Sequence, residues 1–169
     1  MRTAILLLGA LALLPPSQAV EPTEYQLKAA FLYNFALFTE WPAGTGRTLR
    51  LCVHGQDPFG PALDDLQGKP VRHRRISIER QAKAGTLAQC QIVFISRSAA
   101  GELPATLEKL RNVPVLTVAD MPGAARLGVM LNMEVRRNKV TFSANLGSAR
   151  QAHLVLSSKL LGLAPEVIL

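Results

Sequence analysis

Cysteine is scarce, with two residues in 169. That is too few for a disulfide-rich scaffold or a four-cysteine zinc site. Histidine is nearly as rare, and His54, His73 and His153 lie far apart with no H-x-x-x-H or H-E-x-x-H spacing, so a metal site has no sequence support. The chain carries no P-loop, no G-x-G-x-x-G and no G-x-S-x-G elbow. No segment recurs with a period of about 20–50 residues, which excludes a solenoid or propeller. Beyond Val20 no apolar run is long enough to span a bilayer. Acidic residues are the scarcer sign, 12 against 19 Lys and Arg, for a net charge of +7. With 49% hydrophobic and 18% charged residues the chain is not intrinsically disordered, and its length suits one domain.

What is present begins with an address. Arg2 supplies a positive start, Ala4 to Leu14 is apolar, Pro15 and Pro16 break the run, and Ser17-Gln18-Ala19 offers a cleavage site. The run is too short for a membrane anchor. Residues 1–19 are therefore expected to be a cleaved secretory signal, leaving residues 20–169 as the working domain. No cysteine follows the cut, which argues against a lipid anchor. Export bears on Cys52 and Cys90, because thiols in an oxidising compartment tend to pair. Two independent buried thiols remain the alternative, since sequence alone places neither sulfur near the other.

Thr23 followed by Gln26 is a capping-box pattern, and no Gly or Pro interrupts Tyr25 to Glu40 before Pro42. This predicts a helix holding six of the nine aromatics: Tyr25, Phe31, Tyr33, Phe35, Phe38 and Trp41. Its polar face shrinks to Gln26, Lys28 and Asn34. Leu49–Val53, Cys90–Ser96 and Val113–Val118 read as buried strands, with helices expected from Asp57-Pro58 to Gln67, over Gln81–Gln89 and over Glu102–Arg111. Gly128–Val135 and Lys139–Ala144 read as a hairpin turning at Arg136-Arg137-Asn138. Ser148–Leu163 reads as a closing helix with Ala152, Leu156, Leu160 and Leu163 on one stripe. Together these predict a single-domain α/β three-layer sandwich, with a mixed, mostly parallel sheet flanked by helices.

Chemistry is thin. Ser96, His54 and Asp57 could be drawn as a triad, but any chain of this size offers such trios. Asp57 could orient a ligand at the carboxyl end of the sheet, although helix capping explains it more cheaply. The loop holding His54, Gln56 and Asp57 is the candidate ligand site. Two basic clusters, Arg72 to Arg75 with Arg80 and Lys83, and Arg136, Arg137 and Lys139, suit anionic headgroups or an acidic protein surface. Solvated strand and turn residues explain them as well. An exported protein rarely meets nucleic acid, and neither cluster carries aromatics suited to stacking bases.

Several segments together resemble the YfiR-like periplasmic proteins. Lys28-Ala29-Ala30-Phe31-Leu32-Tyr33-Asn34-Phe35, running on to Glu40-Trp41-Pro42, is similar to that family's opening helix. Leu51-Cys52-Val53-His54-Gly55 with Asp57-Pro58-Phe59-Gly60 resembles its first strand and loop. Cys90 to Ile95, Val115 to Asp120 and Ser157 to Ala164 follow in the family's order. The hairpin departs from the pattern, reading Gly128-Val129-Met130-Leu131 and Phe142-Ser143-Ala144-Asn145. The resemblance implies a non-enzymatic periplasmic regulator that uses no cofactor. It would repress the periplasmic sensor domain of an inner-membrane diguanylate cyclase, controlling cyclic-di-GMP and biofilm. A membrane histidine kinase is an alternative partner, and an outer-membrane lipoprotein could sequester the regulator. The family's disulfide carries over to Cys52 and Cys90. Phe31, Tyr33, Phe35, Phe38 and Trp41 are the candidate partner interface, with an identical subunit as one possible occupant. A periplasmic small-molecule binder is the competing expectation.

Overall fold

The computed structural model describes residues 21–169 apart from Thr45. The expected signal peptide lies outside the described residues. The chain opens with α1 (Glu24–Phe38), whose capping box is formed by Thr23 and Gln26 as its pattern required. The helix stops at Phe38, short of the expected Glu40. Thr39 turns to extended backbone, and β1 (Thr39–Glu40) pairs with residues far along the chain.

β2 (Thr48–His54) is followed by α2 (Pro61–Asp64), then by β3 (Pro70–Val71) and β4 (Arg74–Glu79). Asp57 does not start α2. Its carboxylate accepts from the Phe59 amide and pairs with Arg80, which closes a tight turn instead. Helix entry falls to Gly60 and Pro61. Gln81–Gln89, expected to be helical, forms turns and a single 3-10 turn at Leu87–Gln89.

β5 (Ile92–Ile95), α3 (Leu103–Lys109) and β6 (Leu116–Ala119) come next. β7 (Leu131–Arg136) and β8 (Lys139–Asn145) form the expected hairpin. Its turn residues Arg137 and Asn138 both adopt positive φ, as a tight right-twisting connection requires. The closing helix is broken into α4 (Leu146–Gln151), β9 (Val155–Leu156) and α5 (Ser158–Leu161), and β10 (Glu166–Ile168) ends the chain. His153 takes a left-handed φ that stops α4, β9 pairs with β1, and Ser157 caps α5 by accepting from the Leu160 amide. Leu156 and Leu160 are buried, but Leu163 is 68% exposed and leaves the stripe.

The main sheet has the order β10-β8-β7-β6-β5-β2-β4-β3. All pairings are parallel except β3 with β4 and β7 with β8, so the sheet is mixed and mostly parallel. Alternation along the strands sends side chains to two cores. Leu51, Val53, Phe94 and Val118 meet α1, α2, α4 and α5 on one face. Cys52, Val93, Ile95 and Ala119 meet α3 and its flanking turns on the other. These are the three layers the pattern predicted. The connection leaving β2 crosses the first face and the connection leaving β5 crosses the second. A crevice therefore opens outside the carboxyl ends of these two strands, where open α/β sheets bind ligands.

Candidate functional site

The crevice is built by the two loops that leave β2 and β5. Gly55 turns the first loop at φ +89°, and Ser96 and Ser98 of the second pack so closely that a Cβ there would sit 2.5 Å from the Ser96 hydroxyl. Only glycine fits. The Gln56 amide donates to Ser98 Oγ, and the Ser96 and Ser98 hydroxyls bond each other at 2.7 Å. His54 is buried, with Nδ1 3.0 Å from the Ala82 carbonyl and Nε2 3.1 Å from Glu102. Gln56, Asp57, Ser96 and Ser98 line one shallow pocket, and His54, Gln56 and Ser98 line its neighbour. The candidate loop residues thus share one crevice. His54 and Asp57, however, spend their polar atoms on Glu102 and Arg80. Ser96 hydrogen-bonds Ser98 rather than His54, so the imagined triad is not assembled.

A second constellation was not anticipated. Lys28, expected on the polar face of α1, is fully buried and donates to Asp120 at the end of β6 and to Glu24. The Tyr25 hydroxyl donates to the same Asp120 oxygen, and Arg97 donates to the Asp120 carbonyl. Burial alone would lower the Lys28 pKa, but the hydrogen bonds to Asp120 and Glu24 outweigh it and hold the ammonium above its usual range. Burial and the negative charge of Asp120 push the Tyr25 phenol up. The sequence did carry a weak signal, since Lys28 and Asp120 both lie within segments that resemble the family. Beside this network a cleft of about 550 Å3 opens between β7, β8, β10 and the 122–126 turn.

Cys52 and Cys90 form a disulfide, with Cα atoms 6.1 Å apart and no free cysteine among the described residues. It joins β2 to the entry of β5 within the second core.

The aromatic set divides. Phe35 is fully buried, against Phe31 and Phe142, so it faces the core and presents nothing to a partner. Phe31, Tyr33, Phe38 and Trp41 are half-buried at the margin of the first core. The Tyr33 hydroxyl donates to the Pro70 carbonyl and the Trp41 indole to the Gln91 carbonyl. Within the basic cluster around β4 only Arg74 is buried, while Arg72 and Arg80 stay exposed and form ion pairs. Arg72 pairs with Glu40, Arg80 pairs with Asp57 and Asp64, and buried Arg74 lies against Trp41. Arg136 pairs with Glu134. No helix among the described residues is long and apolar enough to cross a membrane.

A family model described as YfiR/HmsC-like matches residues 25–165. Among solved structures, a conserved domain protein from Vibrio cholerae O1 biovar eltor aligns with a TM-score of 0.55 at 5% identity, covering 85% of this chain and 60% of its own. The ABC domain from Streptococcus pneumonia in complex with L-Trp aligns with a TM-score of 0.54 at 8% identity, with the same coverage of 85% and 60%. The chain thus spans 60% of the length of each, and at such identities the likeness is one of fold.

Proposed function

The chain belongs to the YfiR/HmsC-like family of periplasmic regulators of cyclic-di-GMP signalling, and on that premise we propose that it binds and represses an inner-membrane diguanylate cyclase. The contact falls on the cyclase's periplasmic sensor domain. The observation that carries this reading is the family match, which spans nearly all of the described chain. A supporting feature is the half-buried rim of Phe31, Tyr33, Phe38 and Trp41. Aromatic side chains that keep an exposed edge are favoured anchors in protein interfaces. In this reading residues 1–19 direct export and are removed after Ala19, and the protein acts without chemistry of its own.

Deleting the gene is expected to raise cellular cyclic-di-GMP several-fold, increase biofilm and reduce swimming. Unchanged cyclic-di-GMP, with a membrane histidine kinase recovered on pull-down from detergent-solubilised membranes, moves the assignment to the kinase. An N-terminal peptide beginning at Val20 in the exported protein checks the cleavage.

A second reading is a small-molecule binder, supported by the crevice at the sheet's switch point. One fold neighbour is described as holding L-Trp. In that case a metabolite co-purifies with the protein and no membrane partner does.

A further inference from the structure

Ala119, Asn132, Ser143 and Glu166 form one register row across β6, β7, β8 and β10. Past this row β6 has ended, while β7 runs on to Arg136. At about 3.3 Å per residue the hairpin overhangs the end of β6 by roughly 13 Å. One side of the overhang, through Met133 and Phe142, belongs to the core beneath α1. Beside it lies the 550 Å3 cleft, a size typical of small-ligand sites and larger than a single amino acid needs.

Asp120 is among the residues lining this cleft, its side chain 1% exposed. Oδ2 accepts from Lys28 and Tyr25, whereas Oδ1 accepts no hydrogen bond. The Arg97 Nε stands 3.5 Å from Oδ1, on a side chain that is 62% exposed and can move aside. A buried carboxylate oxygen without a donor is costly, and an incoming ammonium supplies the donor. Arg126 and Arg136 line the same cleft, paired with Glu166 and Glu134. A guanidinium has five N–H donors, so each retains capacity for a further carboxylate.

Charge narrows the ligand class. Three lining guanidiniums, Arg97, Arg126 and Arg136, face four lining carboxylates, Glu24, Asp120, Glu134 and Glu166, and buried Lys28 behind the wall pairs with two of the four. The site therefore has little net pull on a bare cation or a bare anion, and favours a molecule carrying both charges. Pro122 and Val135 add apolar wall. The overhang of roughly 13 Å is the reach of three to four extended residues.

We infer that this cleft binds a short peptide of about three residues, its free ammonium on Asp120 and its terminal carboxylate on Arg136 and Arg126. The site adjoins the β2–β5 crevice, with Arg97 as a shared wall, and stands whether or not the protein represses a cyclase.

Isothermal titration of the exported protein with trialanine tests it. Saturable binding is expected, and blocking either terminus, as N-acetyl-trialanine or as trialanine amide, is expected to weaken it by about tenfold or more, the loss of one charge-assisted contact. Arg136→Ser and Arg126→Ser should each weaken binding several-fold while leaving circular dichroism unchanged. Asp120→Asn should do the same, but it also disturbs Lys28, so the arginine variants and the blocked peptides keep the test independent of folding. Absence of saturable heat up to about 10 mM peptide, far beyond a Kd worth about −4.1 kcal/mol, overturns the proposal. So does equal affinity for N-acetyl-trialanine, or for alanine alone.

Discussion

Lys28 Nζ lies 2.6 Å from Asp120 Oδ2, an ion pair with both side chains 1% exposed that joins the first helix to the end of β6. Two charges out of water survive only when paired and hydrogen-bonded, and here Glu24 and Tyr25 complete the set. Removing one partner strands the other. Lys28→Met is expected to cost about 3–5 kcal/mol in urea unfolding, whereas Lys28→Met with Asp120→Leu should recover much of that loss. Additive losses would show that the two residues do not act as a pair.

The same network fixes a pH dependence. Lys28 and Tyr25 both bind their protons more tightly in the fold than at the reference values of 10.5 and 10.0. The folded state then holds protons that the unfolded chain has released, so stability falls as pH rises. The contribution is complete below the unfolded values and is lost on passing through the higher folded ones. The stability gap between the wild type and the Lys28→Met, Asp120→Leu double variant should stay level up to about pH 9 and narrow as pH rises above about 10. A constant gap would contradict this.

The Cys52–Cys90 bridge closes a loop of 38 residues, for which the chain-entropy estimate is about 4 kcal/mol. Cys52→Ala should therefore destabilise the protein by about 2–5 kcal/mol. Thiol labelling of the denatured, exported protein should detect no free cysteine. Two reactive thiols per chain would mean that the bridge is not formed there.

Phe35 and Tyr33 sit two residues apart on α1 with opposite duties. Phe35→Glu buries an unpaired charge against Phe31 and Phe142, and circular dichroism should report an unfolded chain. Tyr33→Glu loses a hydroxyl bond to Pro70 on a half-buried side chain, so the fold should persist. Its effect should appear in capture of the membrane partner. Unimpaired capture would remove Tyr33 from the interface.

Gly55→Ala should disturb the β2–β5 crevice specifically, because its Cβ meets the Ser96 and Ser98 hydroxyls at 2.5 and 2.6 Å in a left-handed backbone. Loss of any co-purifying metabolite with retained membrane-partner capture would mark the crevice as a ligand site apart from the regulatory surface. Unchanged metabolite binding would place the ligand elsewhere.

Much of this architecture was legible because its signals are local. Thr23 and Gln26 announced the start of α1, and the apolar runs around Cys52, Val93 and Val118 announced three parallel strands. The hairpin followed from alternation around Arg137 and Asn138. The candidate sites were legible only in part. His54, Gln56 and Asp57 do line a common crevice, but Asp57 also read as a helix cap until Arg80, from beyond β4, drew its carboxylate away.

Sequence by itself therefore determined the elements whose hydrogen bonds and apolar faces close within a few residues, and with them the α/β layering. Only the tertiary structure decided the fate of segments whose partners lie far along the chain. Val155 and Leu156 had the spacing of a helix, but Thr39 and Glu40 needed a strand to complete their backbone hydrogen bonds, and pairing overrode the period. Lys28 looked like a solvated charge for the same reason. Glu24, one turn before it, is the only carboxylate within reach along the helix, whereas the buried one that completes its pairing stands 92 residues away.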